Sequence, residues 1–301
     1  MVIQVNFDPL ASGTCPMDTM GWPNLMMHAR ASRAWYPEHI GPLSIKTVSR
    51  GKEHYNVSNQ RYAVTPDSYL ILNHGQYYAS QIKEEEEIES FCIFFTPGLA
   101  DEVLNGLQTP DRILVDDPEF HLPHSTSFVE KLYRHDTILS PYLSYLRDAT
   151  LHSPVTNGWL EEQYRFLLER LILLQHKVQS EISEITSIRY STRVELYCRI
   201  HRAKDFIDAT LHQQKTIPEI AAVACLSPHY FLRLFKQVTG LTPHRYISHQ
   251  RMEHACVLLK RTESPVAEIC REVGFESLGT FSRVFRERYG CSPTMYRRQS
   301  R

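Results

Sequence analysis

IPEIAAVACLSPHYFLRLFKQVTGLTPHRY, residues 217–246, and VAEICREVGFESLGTFSRVFRERYGCSPTMY, residues 266–296, are two copies of one design. Glu219-Ile220 matches Glu268-Ile269 at an offset of 49. Phe231, Arg233, Phe235, Gly240, Pro243 and Tyr246 match Phe281, Arg283, Phe285, Gly290, Pro293 and Tyr296 at an offset of 50. The change of offset puts one extra residue in the turn of the second copy. Each copy reads as helix, tight turn, helix. Thr216 and Glu219 form a capping box for the first helix. Ile217, Ile220, Ala221 and Ala224 then recur at helical spacing, which makes one face apolar. Ser227-Pro228 supplies a cap and a first-turn proline, and Gly240 ends the second helix. Phe231, Leu234, Phe235 and Val238 form its inward stripe, while His229, Leu232, Arg233 and Lys236 share another face. In the second copy Ser264-Pro265 starts the first helix and Gly274 lies in the turn. Phe281, Val284 and Phe285 face inward there, and Gly279, Ser282, Arg283 and Arg286 outward.

A short helix pair whose second helix is apolar behind and basic in front suits the DNA major groove, which admits one helix and lets Arg pair bidentately with guanine. One such pair would equally fit an ordinary helical bundle with solvated charges. Two copies in register, both keeping the outward Arg, favour the DNA reading. The segment GFES…FSRVF…YGCSPTMYR resembles the DNA-binding domain of the AraC/XylS family of bacterial transcription regulators, and the likeness runs from Arg199 to Arg301. That resemblance implies seven helices, with two helix-turn-helix units joined by one long helix, here Pro243 to Arg261 behind a Thr242 cap. The family's base-contacting positions fall on His229, Leu232 and Arg233 in the first reader. In the second they fall on Leu278, Gly279, Ser282 and Arg283. Leu278 and Gly279 depart from the polar residues often found there. Tyr230 belongs with the first set, and Lys236 and Arg286 suit phosphate.

Charge follows the same division. Arg199–Arg301 holds 17 Lys+Arg against 9 Asp+Glu, a balance of +8, which leaves 16 against 25, or −9, for residues 1–198. A basic third beside an acidic remainder fits a DNA reader attached to something else. The seven cysteines show no paired spacing, so reduced thiols in a cytoplasm are expected. MVIQVNFDPLASG lacks the basic start and apolar run of a signal peptide, and no apolar run is long enough for a bilayer.

Ahead of the repeat, residues 1 to about 30 contain Pro9, Gly13, Pro16, Gly21 and Pro23 and read as an irregular lead-in. Short strand signals follow at Leu43–Val48, Ser68–Leu72, Tyr77–Ile82 and Phe91–Phe95, which suggests a sandwich or small barrel. The acidic run Glu84–Glu89 reads as a solvated hairpin tip. Thr96-Pro97 caps a helix to about Leu107, and helical segments span Ser127–Leu151 and Asn157–Val178. In the last of these Leu160, Tyr164, Leu167, Leu171, Leu174 and Val178 alternate at steps of four and three, a seam suited to a homodimer or to packing on the barrel. Residues 179–198 read as a polar interdomain linker. The domains expected are therefore 1–178 for effector binding and dimerisation, 179–198 as linker and 199–301 for DNA. The fold class is a two-domain α+β chain, with a cupin-like β-barrel plus helices followed by an all-α domain.

The family resemblance fits this layout, because many such regulators carry a cupin-like barrel that binds a small effector. Tyr36, Tyr55, Tyr69 and Tyr78 are the candidate effector contacts, since ligand pockets are apolar with a few polar groups. The HxH and downstream Glu of metal-binding cupins are missing from the strand region, and His54, His74 and the His121/His124 pair are scattered. No catalytic residue, metal or cofactor is expected. The reading is a ligand-responsive regulator bound to double-stranded DNA as a homodimer, with no membrane partner. A cupin-type metalloenzyme fused to a DNA-binding domain is the alternative from another class, and a non-specific nucleoid or scaffold protein would share the basic surface.

Overall fold

A computed structural model describes residues 1–6, 23–58, 60–110, 112–113, 126–152, 154–187 and 189–299. The expectations for Pro9–Gly21 and for His121/His124 lie outside these residues. The chain divides into two compact units, Met1–Ser180 and Glu181–Arg301.

The first unit is a nearly closed, mostly antiparallel sheet. Its strands are β1 (Val2–Asn6), β2 (Leu25–Gly41), β3 (Ser44–Arg50), β4 (Glu53–Val57), β5 (Gln60–Val64), β6 (Ser68–Leu72), β7 (Gln76–Phe94) and β8 (Leu132–Arg134). The order is β1-β2-β7-β3-β6-β8, with β4 between β5 and β7, and β1 is parallel to β2. The 19-residue β7 is the spine. Tyr78–Gln81 pairs with β4, Glu89–Phe94 with β3, and β2 lines its other edge. Register shifts near Ala31/Arg33 and Tyr36/His39 bend β2, as bulges do. The sheet thus curls around one core that includes Tyr55, Val57, Tyr62, Val64, Leu70, Leu72, Tyr78 and Ile82.

Several expectations change here. Glu84–Glu89 lies inside β7 rather than at a hairpin tip, because β2 pairs with both flanks of the run, at Lys83 and at Ile88–Glu89, and Arg30 meets Glu89 at 3.2 Å. The strand signals at 77–82 and 91–95 are therefore two ends of one strand. Ser127–Leu151 is not one helix either. Leu132–Arg134 pairs with β6, and Asp136 then accepts the backbone N–H groups of Ile138 and Leu139, both at 2.7 Å, just ahead of helix α2 (Ser140–His152). Helix α1 (Leu99–Gln108) starts after Gly98 instead of at a Thr96 cap.

Helix α3 (Asn157–Ser183) carries the residues expected to form a dimer seam. Leu160, Tyr164, Leu167, Leu171, Leu174 and Val178 are all buried within the single chain. Tyr164 meets the Phe95 ring edge-on at 5.9 Å. The exposed large apolar residues of α3 are Phe166 and Leu173, one above the other at a spacing of seven.

The second unit is helical: α4 (Tyr190–Ala209), α5 (Ile217–Val223), α6 (Pro228–Thr239), α7 (Pro243–Arg261), α8 (Val266–Glu272), α9 (Leu278–Tyr289) and α10 (Pro293–Gln299). Residues 179–198 are helical at both ends, with α3 reaching Ser183 and α4 starting at Tyr190. Ile182, Ile185 and Tyr197 are buried, and the Tyr197 hydroxyl donates to Glu181 at 2.5 Å.

The repeat in the sequence is a repeat in geometry. The Phe235 and Tyr246 rings meet edge-on at 5.6 Å and 71°, and Phe285 and Tyr296 do so at 5.4 Å and 78°. Gly240 and Gly290 close α6 and α9 in the left-handed conformation with the same φ of 74°. The turns correspond as well. Leu226 N–H donates to Ala221 O, and Phe275 N–H to Cys270 O. The offset becomes 50 again at Ser227 and Ser277, which accept from Phe231 and Phe281, so the extra residue is Glu276. Cys225 and Gly274 occupy the same turn position, with φ of 52° and 89°. A left-handed conformation costs a residue with a side chain about 1–2 kcal/mol. Glycine's freedom in the unfolded chain returns about 0.5–1 kcal/mol of that. The exposed Cys225→Gly change is therefore expected to stabilise the unit by about 0.5–1 kcal/mol, read as a higher denaturation midpoint.

Candidate nucleic-acid interface and barrel cavity

Helices α6 and α9 are the second helices of the two pairs. Each buries an aromatic face and leaves the opposite one open. Phe231, Leu234 and Phe235 of α6 are buried, and His229, Leu232, Arg233 and Lys236 are exposed, with Tyr230 half-buried. Phe281 and Phe285 of α9 are buried, and Leu278, Gly279, Arg283 and Arg286 are exposed, with Ser282 half-buried. Val284, expected inside, is only partly buried against the second core. All the residues expected to face DNA thus keep some or all of their surface, on two helices of the same construction.

The two arginines are held differently. Arg233 lies over the Tyr230 ring with its guanidinium 5.2 Å from the ring centre. Arg283 donates to Glu287 one turn on at 2.7 Å, and both side chains are mostly exposed. Around the second reader, Arg288 donates to Glu253 at 2.8 Å, and Tyr289 donates to the same carboxylate at 3.1 Å, which joins α9 to α7.

The first unit carries a partly open cavity of about 60 Å³ lined by β2, β3, β4 and β7. Tyr36, Tyr55 and Tyr78 line it, and Tyr69 does not. Tyr69 points elsewhere, stacked on Tyr133 at 5.3 Å with its hydroxyl donating to Asp136 at 2.5 Å. The cavity also holds two charged residues that the sequence reading missed, Lys46 and Glu53. Lys46 is 3% exposed; its Nζ donates to the Tyr78 hydroxyl at 3.2 Å and sits 3.8 Å above the Phe94 ring. Burial pushes the Glu53 carboxyl up, against hydrogen bonds from Tyr55 and Ser80. Burial also pushes the Cys92 thiol up to about 11, so it stays protonated near neutral pH. A protonated thiol is a poor nucleophile. Period-two alternation places Lys46 on the polar face of β3, and in a closing sheet that face is the interior.

Residues 220–299 match the helix-turn-helix domain family. The chain is 35% identical over 92 residues to the probable transcriptional regulator LumQ of Photobacterium leiognathi, covering 31% of this chain and 37% of that protein. It is 30% identical over 158 residues to the regulatory protein PocR of Salmonella typhimurium, covering 52% and 50%. The match to the HTH-type transcriptional regulator MtrA of Neisseria gonorrhoeae is longer, 25% identical over 265 residues, covering 87% of this chain and 80% of that one. The chain thus spans half or less of the first two relatives. Residues 220–299 thus form a helix-turn-helix domain, and the relatives are described as transcriptional regulators or regulatory proteins. Among the described residues no helix is long and apolar enough to cross a membrane.

Proposed function

We propose that the chain is a sequence-specific, DNA-binding transcription regulator of the bacterial cytoplasm, controlled by a small molecule in its first unit and performing no chemistry itself. The observation that carries this is the duplicated geometry of the second unit, in which each copy presents an exposed Arg, Arg233 or Arg283, from the same place on its second helix. His229, Tyr230, Leu232 and Arg233 meet bases through α6, with Lys236 on phosphate. Leu278, Gly279, Ser282 and Arg283 do so through α9, with Arg286 on phosphate. Gly279 and Leu278 offer no hydrogen bond from their side chains, so the second reader leans on shape and backbone contacts. Selection of bound duplexes from a random pool tests the reading. The expected site has two different blocks about one helical turn, roughly 10 bp, apart. Binding that ranks all sequences alike would leave a non-specific nucleoid protein.

The cavity supports the effector reading. Lys46 has three N–H donors and uses one on Tyr78. A buried ammonium with spare donors favours an oxygen acceptor. Phe94 and Tyr55 offer flat apolar walls beside it. The effector is then a small molecule with an oxygen-bearing head and a flat apolar body. Thermal-shift screening of the full chain with small carboxylates, and with their amides, checks this. Lys46→Met is expected to lower the ligand-free midpoint, because Tyr78 and Glu53 lose the ammonium they face. It should weaken any hit about 10–100-fold, the size of a lost charge-assisted hydrogen bond. A screen with no hit would remove the effector, and turnover of a hit would favour the metalloenzyme alternative.

We further propose that the regulator acts as a homodimer; the expected seam residues of α3 are buried in the single chain, so a second copy would meet another surface first. The outer face of α3, with Phe166 and Leu173, is the nearest substitute.

A further inference from the structure

Three segments of the second unit converge on one side chain. Arg251 lies midway along α7, the helix that joins the two helix-turn-helix pairs, and is almost wholly buried. Its Nε donates to Leu211 O at 2.8 Å and its Nη2 to Gln213 O at 2.9 Å. Leu211–Gln214 leads from α4 into the first pair. The same guanidinium lies 5.8 Å from the Phe275 ring, in the turn of the second pair. Gln214 completes the junction from the other side, with Nε2 donating to Gly274 O at 2.9 Å.

The contact is close enough to exclude a methyl group. A Cβ on Gly274 would sit 2.6 Å from Leu211 O and 2.9 Å from the Arg251 guanidinium. The first pair has no such enclosure. Cys225, at the same turn position, is exposed. The second turn is therefore built against the entrance of the first pair, whereas the first turn is held from α4, where Arg199 donates to Cys225 O at 3.2 Å.

We infer that Arg251, with Gln214, is a positioning residue that fixes the second reading helix relative to the first, and so sets the separation of DNA sub-sites the chain accepts. The inference rests on the reading that α6 and α9 both meet DNA. Helix α7 packs on each pair separately, through Tyr246 on Phe235 at one end and Met252 to Leu259 in the second core at the other, and this packing leaves freedom between the pairs themselves. Arg251 removes this freedom through hydrogen bonds to backbone carbonyls, whose positions no rotamer change can shift. Each base pair inserted between the sub-sites carries the second about 3.4 Å along and about 35° around the duplex. A locked pair of readers cannot follow that movement, and an unlocked pair can.

The test uses the full chain and duplexes selected from a random pool, remade with one or two base pairs added or removed between the two blocks. The parent is expected to lose at least about tenfold in affinity for a change of one or two base pairs. Arg251→Met, which keeps the volume and drops both bonds, is expected to bind the original duplex a few-fold more weakly, with a spacing penalty below about threefold. Arg251→Lys should fall between the two. The ratio between spacings separates positioning from stability, since a smaller folded fraction lowers every affinity by one factor. An Arg251→Met ratio equal to the parent's overturns the inference, and so does a parent that needs both blocks but tolerates every spacing. If Arg251→Met fails to fold, Gln214→Met decides, with a penalty at least halved in support and an unchanged one against. A parent that selects only one block, or no sequence, overturns the two-reader reading itself and this inference with it.

Discussion

Gly274→Val is expected to destabilise the second unit by about 3–5 kcal/mol, the sum of a left-handed conformation forced on a branched residue and a steric conflict in a packed turn. Gly274 holds φ at 89°, where a β-branched side chain is a conformational outlier. Its new Cβ would meet the backbone oxygen of Leu211 and the guanidinium of Arg251 inside contact distance. Backbone cannot rotate away, so either the turn opens or Arg251 leaves Leu211 and Gln213. Releasing those two bonds costs roughly 0.5–1.5 kcal/mol each. The helical circular dichroism signal of the full chain should show the second unit melting well below the parent. Cys225→Gly, at the matching position of the first copy, should move in the opposite direction. A parental melting curve for Gly274→Val would mean that the turn can move off Leu211, and that the junction is looser than its hydrogen bonds indicate.

That contrast also shows why the second unit was legible in the sequence and much of the first was not. Helix-turn-helix pairs are specified locally, by Thr216 with Glu219, by prolines at helix starts, and by Gly240 and Gly290 at helix ends. Such signals act within a few residues, and their repetition at a fixed offset exposes them. The barrel is specified by pairings distant in sequence. Strand β7 runs through an acidic stretch because β2 pairs with both of its flanks, and nothing within 76–94 announces that partner. Lys46 and Glu53 carry the same lesson, because residue type reads them as solvent-facing and only the closing of the sheet puts them inside. The α3 stripe was legible as an apolar face. Its partner was not, since an apolar stripe fits a second copy and its own barrel equally well, and here the barrel takes it.

The two exposed arginines should carry specificity at separate places in the operator. Arg233→Ala and Arg283→Ala are each expected to cost about 1–3 kcal/mol at one base position, the worth of a bidentate pairing with guanine. The first should cost more. Arg233 lies over the Tyr230 ring, an arrangement that leaves its donor edge open to a base. Arg283 is engaged with Glu287. Reaching a base means breaking that exposed pair, which holds up to about 1 kcal/mol. Glu287 would also lie close to DNA phosphate, which lowers the gain further. Because the two readers meet different blocks, the double variant should be near the sum, about 2–6 kcal/mol, since distant and independent sites add. Lys236→Ala and Arg286→Ala provide the comparison. Removing a phosphate-binding side chain weakens binding to all sequences alike and makes the slope of log affinity against log salt shallower by about 0.9 for each phosphate left unneutralised. Titrations at fixed salt, against operators changed one base pair at a time, distinguish the two roles. An Arg233→Ala variant that loses the same factor on every operator, with a shallower salt slope, would make Arg233 a phosphate ligand. Base reading by the first pair would then fall to His229 and Leu232, of which only His229 has a side chain able to hydrogen-bond a base edge.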